Sequence, residues 1–172
     1  LYGVVFHDNL SNKFIKKYST DYIKFIYVDS NLFKNSLNDE RFIIYYEYIK
    51  KNNNIKRVFM TDGNDITIVK NPFNYIVKNK DSLYVGSEED IIENKLDWFI
   101  KPCLDINIRN YLIQIKNNKI LNAGILGGHR KEILKFLFKM KDYFIKHPNK
   151  ECNINMHLFN YIIYKFFKNI KY

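Results

Sequence analysis

The chain is short of the residues that cross-link or punctuate a fold. Its two cysteines, Cys103 and Cys152, stand far apart without nearby ligand partners, so neither a disulfide framework nor a zinc site is expected. A reducing compartment is the default, and with no signal peptide or membrane-spanning segment seen the cytoplasm is the default location. Three prolines and six glycines leave no low-complexity linker to divide the chain, and no internal repeat is found. No apolar run approaches the roughly 18–20 residues that span a bilayer. The start, Leu1-Tyr2-Gly3-Val4-Val5, lacks a basic stretch followed by an apolar one, so no signal peptide is expected. It also lacks an initiator methionine, which suggests a piece of a longer protein. Among the histidines there is no His-Glu-x-x-His spacing, and the chain has neither a Gly-x-Ser-x-Gly elbow nor a phosphate loop.

What is present points to one folded domain. At 172 residues with 47% hydrophobic and 17% aromatic side chains, the chain can bury a real core and is too apolar to stay disordered. The formal net charge of +10 invites a nucleic-acid reading. The lysines are spread along the chain, however, in company with Asn, Ile, Tyr and Phe. They read as a solvated surface, and no nucleic-acid partner is expected.

Strand and helix signals alternate. Gly3-Val4-Val5-Phe6 reads as a first strand ending in the loop His7-Asp8-Asn9, and a basic amphipathic turn follows. Residues 22–28 form a second strand. A helix over 40–51, capped by Asn38 or Asp39, carries Phe42, Ile43, Tyr46 and Ile49 at helical spacing. Val58-Phe59-Met60 is a third strand that stops at Thr61-Asp62-Gly63-Asn64-Asp65. After Asn71-Pro72 a short helix through Phe73 and Ile76 leads to a fourth strand, 82–86, delivering Ser87-Glu88-Glu89. Residues 90–119 are irregular apart from a helix over 106–115. Residues 120–128 read as short apolar pairs broken by small residues, before helices over 131–145 and 154–170. The alternation predicts an α/β fold with a mainly parallel sheet and helices on both faces.

Asp62 and Asp65 lie three apart in a turn at the end of a central strand, the edge of an α/β sheet where ligands bind. Two hard oxygen ligands suit Mg²⁺ or Mn²⁺, although Asp-Gly-Asn-Asp is also a good turn sequence on its own. Leu121-Asn122-Ala123-Gly124-Ile125-Leu126-Gly127-Gly128 offers close backbone approach and an amide for sugar hydroxyls; the plain alternative is a glycine-rich turn. Glu88 and Glu89 can orient an acceptor hydroxyl or move a proton, or cap a helix. Of the histidines, His7 and His157 are the two placed to reach a pocket; the others read as surface residues.

In this order, Asp-x-x-Asp, Asn-Pro-Phe, Gly-Ser-Glu-Glu and Asn-Ala-Gly resemble the GT-A class of nucleotide-sugar glycosyltransferases. The resemblance is strongest to those with an Asp-x-x-Asp metal motif, such as the glycosyltransferase domain of collagen lysyl hydroxylases and related viral, bacterial and plant enzymes. It implies a single GT-A-like domain over 1–172, truncated or minimal in length, with a Rossmann-like architecture. Asp62 and Asp65 would hold Mn²⁺ or Mg²⁺ against the diphosphate of a UDP-linked donor. Phe6, His7, Asp8 and Asn9 would lie near the base and ribose, and Arg41 would contact donor sugar or phosphate. Asn122, Ala123 and Gly124 would line the sugar site, and Glu88 or Glu89 would face a glycan, protein or lipid-linked hydroxyl acceptor. Two departures stand out. No segment supplies the third metal ligand, often a histidine, because His157 sits inside a helical pattern. Where relatives often carry an acidic residue in the last helix, this chain has Asn155.

Three rivals remain. Thr-Asp-Gly-Asn-Asp echoes the late acidic loop of haloacid-dehalogenase phosphatases, but no upstream strand ends in the Asp-x-Asp nucleophile that chemistry needs. A binding module of the same fold without turnover is favoured by the missing ligand and Asn155. A basic nucleic-acid-binding domain rests on charge and aromatic content alone.

Overall fold

The computed structural model describes residues 1–63 and 66–172. Among them lie six strands and seven α-helices, a mixed α/β fold. The first strands, β1 (Gly3–His7) and β2 (Ile23–Tyr27), run parallel in a two-stranded sheet of their own, joined by helix α1 (Asn12–Tyr18). This unit has little core: α1 buries no residue, and β1 and β2 stay partly open to solvent. Phe6 anchors it by packing its ring against Tyr45 and Tyr48 of helix α2 (Leu37–Lys51).

Helix α2 begins one turn earlier than its sequence suggests. Ser36, not Asn38 or Asp39, is its cap, its hydroxyl accepting from the Asp39 N–H at 3.3 Å. That leaves Asp39 inside the first turn, free to bond elsewhere. Phe42, Tyr46 and Ile49 form the buried face. At the other end Arg130 reaches across to the Ile49 and Lys50 carbonyls and to Asn53, satisfying acceptors that the helix itself cannot.

The main sheet has the order β3-β5-β4-β6, built from β3 (Arg57–Thr61), β4 (Leu83–Ile91), β5 (Lys119–His129) and β6 (Ile170–Lys171). It corrects the expectation of a mainly parallel sheet. Both β3 and β4 pair antiparallel with β5, and only the short β6 pairs parallel, with β4. The alternation of β3, the short helix α3 (Phe73–Ile76) and β4 does give two strands of the same direction. A later strand, reversed, inserts between them, and local periodicity carries no information about that.

β5 is the second correction. Residues 120–128, read as broken apolar pairs or a glycine turn, form one continuous central strand. It is buried on both faces, so it shows a near-continuous apolar run and no alternation. Successive residues of a strand point to opposite faces. A Cβ on Gly127 would lie 2.9 Å from Ile76 of α3, and one on Gly128 would lie 3.5 Å from Ile133 of helix α6 (Arg130–Lys146). Helices therefore cover both faces, as expected.

The core gathers where α2, α6 and helix α7 (Asn155–Phe166) meet this sheet. Ile133, Phe136, Leu137, Met140 and Phe144 recur at helical spacing along α6 and are all buried. Each such side chain contributes on the order of 1.5–3 kcal/mol by leaving water. Between β4 and β5 lie the short α4 (Leu96–Phe99) and α5 (Ile106–Gln114), whose Phe99, Ile108 and Leu112 join the same core.

Cys103 and Cys152, expected to be independent thiols, are joined in a disulfide with Cα atoms 6.6 Å apart. The bond ties the loop after α4 to the segment leading into α7. Its halves are 49 residues apart in sequence, so no local spacing announces it. Such bonds persist in oxidising surroundings, which removes the reason for a reducing default. No helix among the described residues is long and apolar enough to cross a membrane.

Candidate functional site

β3 leaves the sheet at Thr61 while its neighbour β5 continues toward Lys119. Among the described residues the last backbone bond between them runs from the Asp62 N–H to the Gly124 carbonyl, at 3.0 Å. Beyond it side chains take the place of a strand. Asn160 of α7 accepts from the Leu121 N–H at 2.8 Å and donates to the Leu121 carbonyl at 2.9 Å, as a facing peptide group would. Its amide also donates to the Met156 carbonyl at 2.8 Å, and Asn160 is 0% exposed. Two residues along, the Ala123 N–H points at the Met156 sulfur at 3.4 Å. The Ala123 carbonyl accepts from the Arg41 guanidinium at 3.3 Å. The space vacated by β3, between β5, α2 and the start of α7, is a polar cleft of about 210 Å³.

Asp62, Arg41 and Asn122–Gly124 make one wall. The Asp62 carboxylate pairs with the Arg41 guanidinium, and both are partly shielded from water. Gly124 lies so close behind that a Cβ there would run into the Asp62 carboxylate and stand 2.9 Å from Asn122 Oδ1. Any side chain here would force the Asp62 and Asn122 side chains to move. Asn122 spends its acceptor on the Gly124 N–H at 2.7 Å. Among the described residues Arg41 Nε is buried with no hydrogen-bond partner.

The facing wall comes from α4 and the start of α7. Asp39, 1% exposed, accepts the Ile154 N–H through both oxygens at 3.2 Å and so fixes the entry of α7 onto α2. Burial raises its carboxyl above the usual range, and that backbone N–H bond opposes the rise. Asn155 follows, buried, with its amide bonded to Asn153. His157, 1% exposed, lies against the Trp98 indole with ring centres 4.3 Å apart, and its Nε2 is 2.9 Å from the Trp98 carbonyl. A carbonyl can only accept, so Nε2 carries the proton and the ring is the neutral Nε2–H tautomer. Burial pushes the His157 pKa down to about 4, although the bond to Trp98 favours the charged form. Lys101 completes the rim, donating to the Asn153 carbonyl at 3.2 Å. Lys101 and Asn153 stand beside the two halves of the disulfide, which thus ties this wall together.

Of the residues singled out from sequence, Asp62, Arg41, Asn122, Ala123, Gly124, Asn155 and His157 converge on this cleft. Glu88 and Glu89 do not line it. They belong to β4 itself, not to a loop after it, and Glu88 is paired with Lys95 at 3.1 Å. Phe6, His7, Asp8 and Asn9 also lie away from it. Phe6 is committed to Tyr45 and Tyr48, and His7 sits against Phe25 and Tyr27 with its Nδ1 accepting the Leu10 N–H at 3.4 Å. Asp65 lies outside the described residues, so its half of the motif has no geometry here. Asn38, Trp98, Lys101, Asn153 and Met156 line the cleft without having been singled out, and Asp39 and Asn160 support it from behind. Trp98 had a signal in being the chain's one tryptophan; Asp39 and Asn160 looked like ordinary polar residues in helical patterns.

Comparison with known protein families and with curated proteins gives no match.

Proposed function

We propose that the protein is a GT-A-type glycosyltransferase, moving a sugar from a nucleotide-diphosphate donor, UDP-linked, to a hydroxyl acceptor. The observation that carries the reading is the convergence of Asp62, Arg41, Asn122 and Gly124, scattered in sequence, on one cleft with Asn155 opposite. Arg41 supplies a fixed positive charge at the cleft wall, suited to a phosphate oxygen. Asn122 keeps its amide donors for a sugar hydroxyl, and Gly124 allows the ligand to approach the backbone. At about 210 Å³ the cleft is below the roughly 300–1,000 Å³ of sites that enclose larger ligands. Only part of the donor, its diphosphate beside Arg41, would be enclosed, with the rest lying over the rim.

Asp62 offers one hard oxygen ligand at the cleft wall, which fits Mn²⁺ or Mg²⁺, with Asp65 as its proposed companion. Such a cation supplies Lewis-acid stabilisation of the departing diphosphate. The residues themselves orient the donor: Arg41 by charge, Asn122 by hydrogen bonding, and Asn155 by presenting an uncharged amide where a carboxylate base would stand. The last point favours a second reading, a nucleotide- or sugar-binding module of the same fold without turnover. So does the Arg41 pairing, because a cation must compete with the guanidinium for Asp62.

Thermal shift with UDP, GDP, CMP and their sugar conjugates, with and without Mn²⁺, tests both. A rise with UDP or a UDP-sugar that grows with Mn²⁺ and is lost in Asp62→Ala supports the nucleotide-sugar site. Hydrolysis of that donor then separates transferase from inactive module. If no nucleotide raises the melting temperature of the unmodified chain, the reading is wrong.

A further inference from the structure

We infer that Trp98 is a stacking platform for a sugar ring, so that the cleft takes a carbohydrate acceptor and not a lipid one. Its meaning as an acceptor site rests on the transferase reading above; the carbohydrate contact itself does not. Trp98 is the only tryptophan in the chain and is 43% exposed at the cleft, while its neighbour Phe99 is wholly buried. A side chain of that size left half in water contributes little to the core and offers a large apolar face to a ligand.

Trp98 is also held in place before any ligand arrives. His157 lies against the indole and donates to its backbone carbonyl, and Phe99 meets it edge-on with centres 5.0 Å apart. The loop that follows is tied by the disulfide. A platform fixed in this way loses little conformational freedom on binding.

What surrounds the platform selects the ligand class. Asn38, Asn122, Asn153 and Asn155 line the same cleft and offer it uncharged amides, although the Asn122 oxygen is taken by the Gly124 N–H and Asn155 donates to the Asn153 oxygen. A pyranose has an apolar face of C–H groups and a rim of hydroxyls that both donate and accept. Its face matches the indole and its rim matches the amides. A lipid chain requires an apolar lining that these residues do not make. Lys101, half-buried and bonded to the Asn153 carbonyl, holds its ammonium 5.2 Å from the indole centre and adds a donor at the same rim. A nucleobase can also stack on an aromatic ring, and it is the rival that the test must exclude.

Because Trp98 is alone, its emission reports this one position. The unmodified chain is titrated separately with methyl glycosides of glucose, galactose, mannose, xylose and N-acetylglucosamine, with the matching disaccharides, and with UDP. The expected result is a saturable shift of Trp98 emission by at least one glycoside, with saturation transfer to its ring protons in ligand-detected NMR. By the same NMR signal, Trp98→Ala weakens that glycoside about tenfold, the loss of a single aromatic contact. Trp98→Phe, which keeps a ring and guards against a folding defect, retains most of the binding. If no glycoside alters the emission, or if Trp98→Ala binds as well as the original, the inference is overturned. A response to UDP alone makes Trp98 a base platform, which sinks the inference and leaves the nucleotide reading standing. A glycoside response without any nucleotide binding keeps the carbohydrate site and removes the transferase.

Discussion

As the pH falls below neutral, the unfolded chain takes up a proton on His157 near 6.5, whereas the folded chain resists until about 4. Burial is the main cause, since the imidazolium would have to sit beneath the Trp98 indole without water. Between those two values the unfolded state binds more protons than the native one, so stability rises with pH there. The contribution of neutral His157 is present in full above 6.5 and is lost as the pH falls through about 4. At about 1.4 kcal/mol for each tenfold, the gap amounts to about 3 kcal/mol. In a chain of this length that corresponds to roughly 6–12 °C of melting temperature. The assay is urea unfolding at pH 7 and pH 4, followed by Trp98 emission, for the original chain and for His157→Gln. Glutamine keeps a donor for the Trp98 carbonyl but does not titrate. The original chain should lose about 3 kcal/mol more than the variant over that interval. Equal losses would refute the assignment of the acid sensitivity to His157.

Two further outcomes follow from the same region. Asn160→Leu removes three hydrogen bonds and leaves the Leu121 N–H and carbonyl buried without partners. It should cost about 3–5 kcal/mol in a urea titration, and a loss below about 1 kcal/mol would mean that Asn160 does not replace a strand. Reducing the Cys103–Cys152 bond, or replacing both cysteines with serine, frees a loop of 49 residues. On the chain-entropy account this costs about 4 kcal/mol; an unchanged melting temperature under reducing conditions would show that the bond does not constrain the chain.

Where local pattern decides, the sequence was a good guide. α6 carries its apolar residues at helical spacing and is found within a residue of its expected bounds. β3 follows from a short apolar run closed by turn residues. Asp62 and Asn122–Gly124, which share the cleft, stood out as small and polar residues beside apolar runs, whereas Arg41 was named only through the family resemblance. Sheet order was not legible, because β5 joins β3 through pairings more than sixty residues apart and β4 through pairings 28 to 45 residues apart. The disulfide stayed hidden for the same reason. Asn160 and Asp39 were invisible for a different one: each sits at a position whose helical spacing reads as surface or cap, and only the neighbouring elements reveal that it is buried. Glu88 and Glu89 were expected in a loop because the strand was expected to end before them. It continues through both, and Lys95 takes Glu88.

The flank of β5 that β3 abandons would otherwise be an open row of backbone donors and acceptors, the kind of edge onto which a second chain adds a strand. Asn160, Met156 and Arg41 occupy the Leu121 and Ala123 positions of that edge, with α7 behind two of them. The same three side chains that hold the cleft open therefore close the strand to other molecules. A variant without Asn160 would expose this template whenever α7 shifts. Self-association at high protein concentration, and not only a lower melting temperature, would mark its loss.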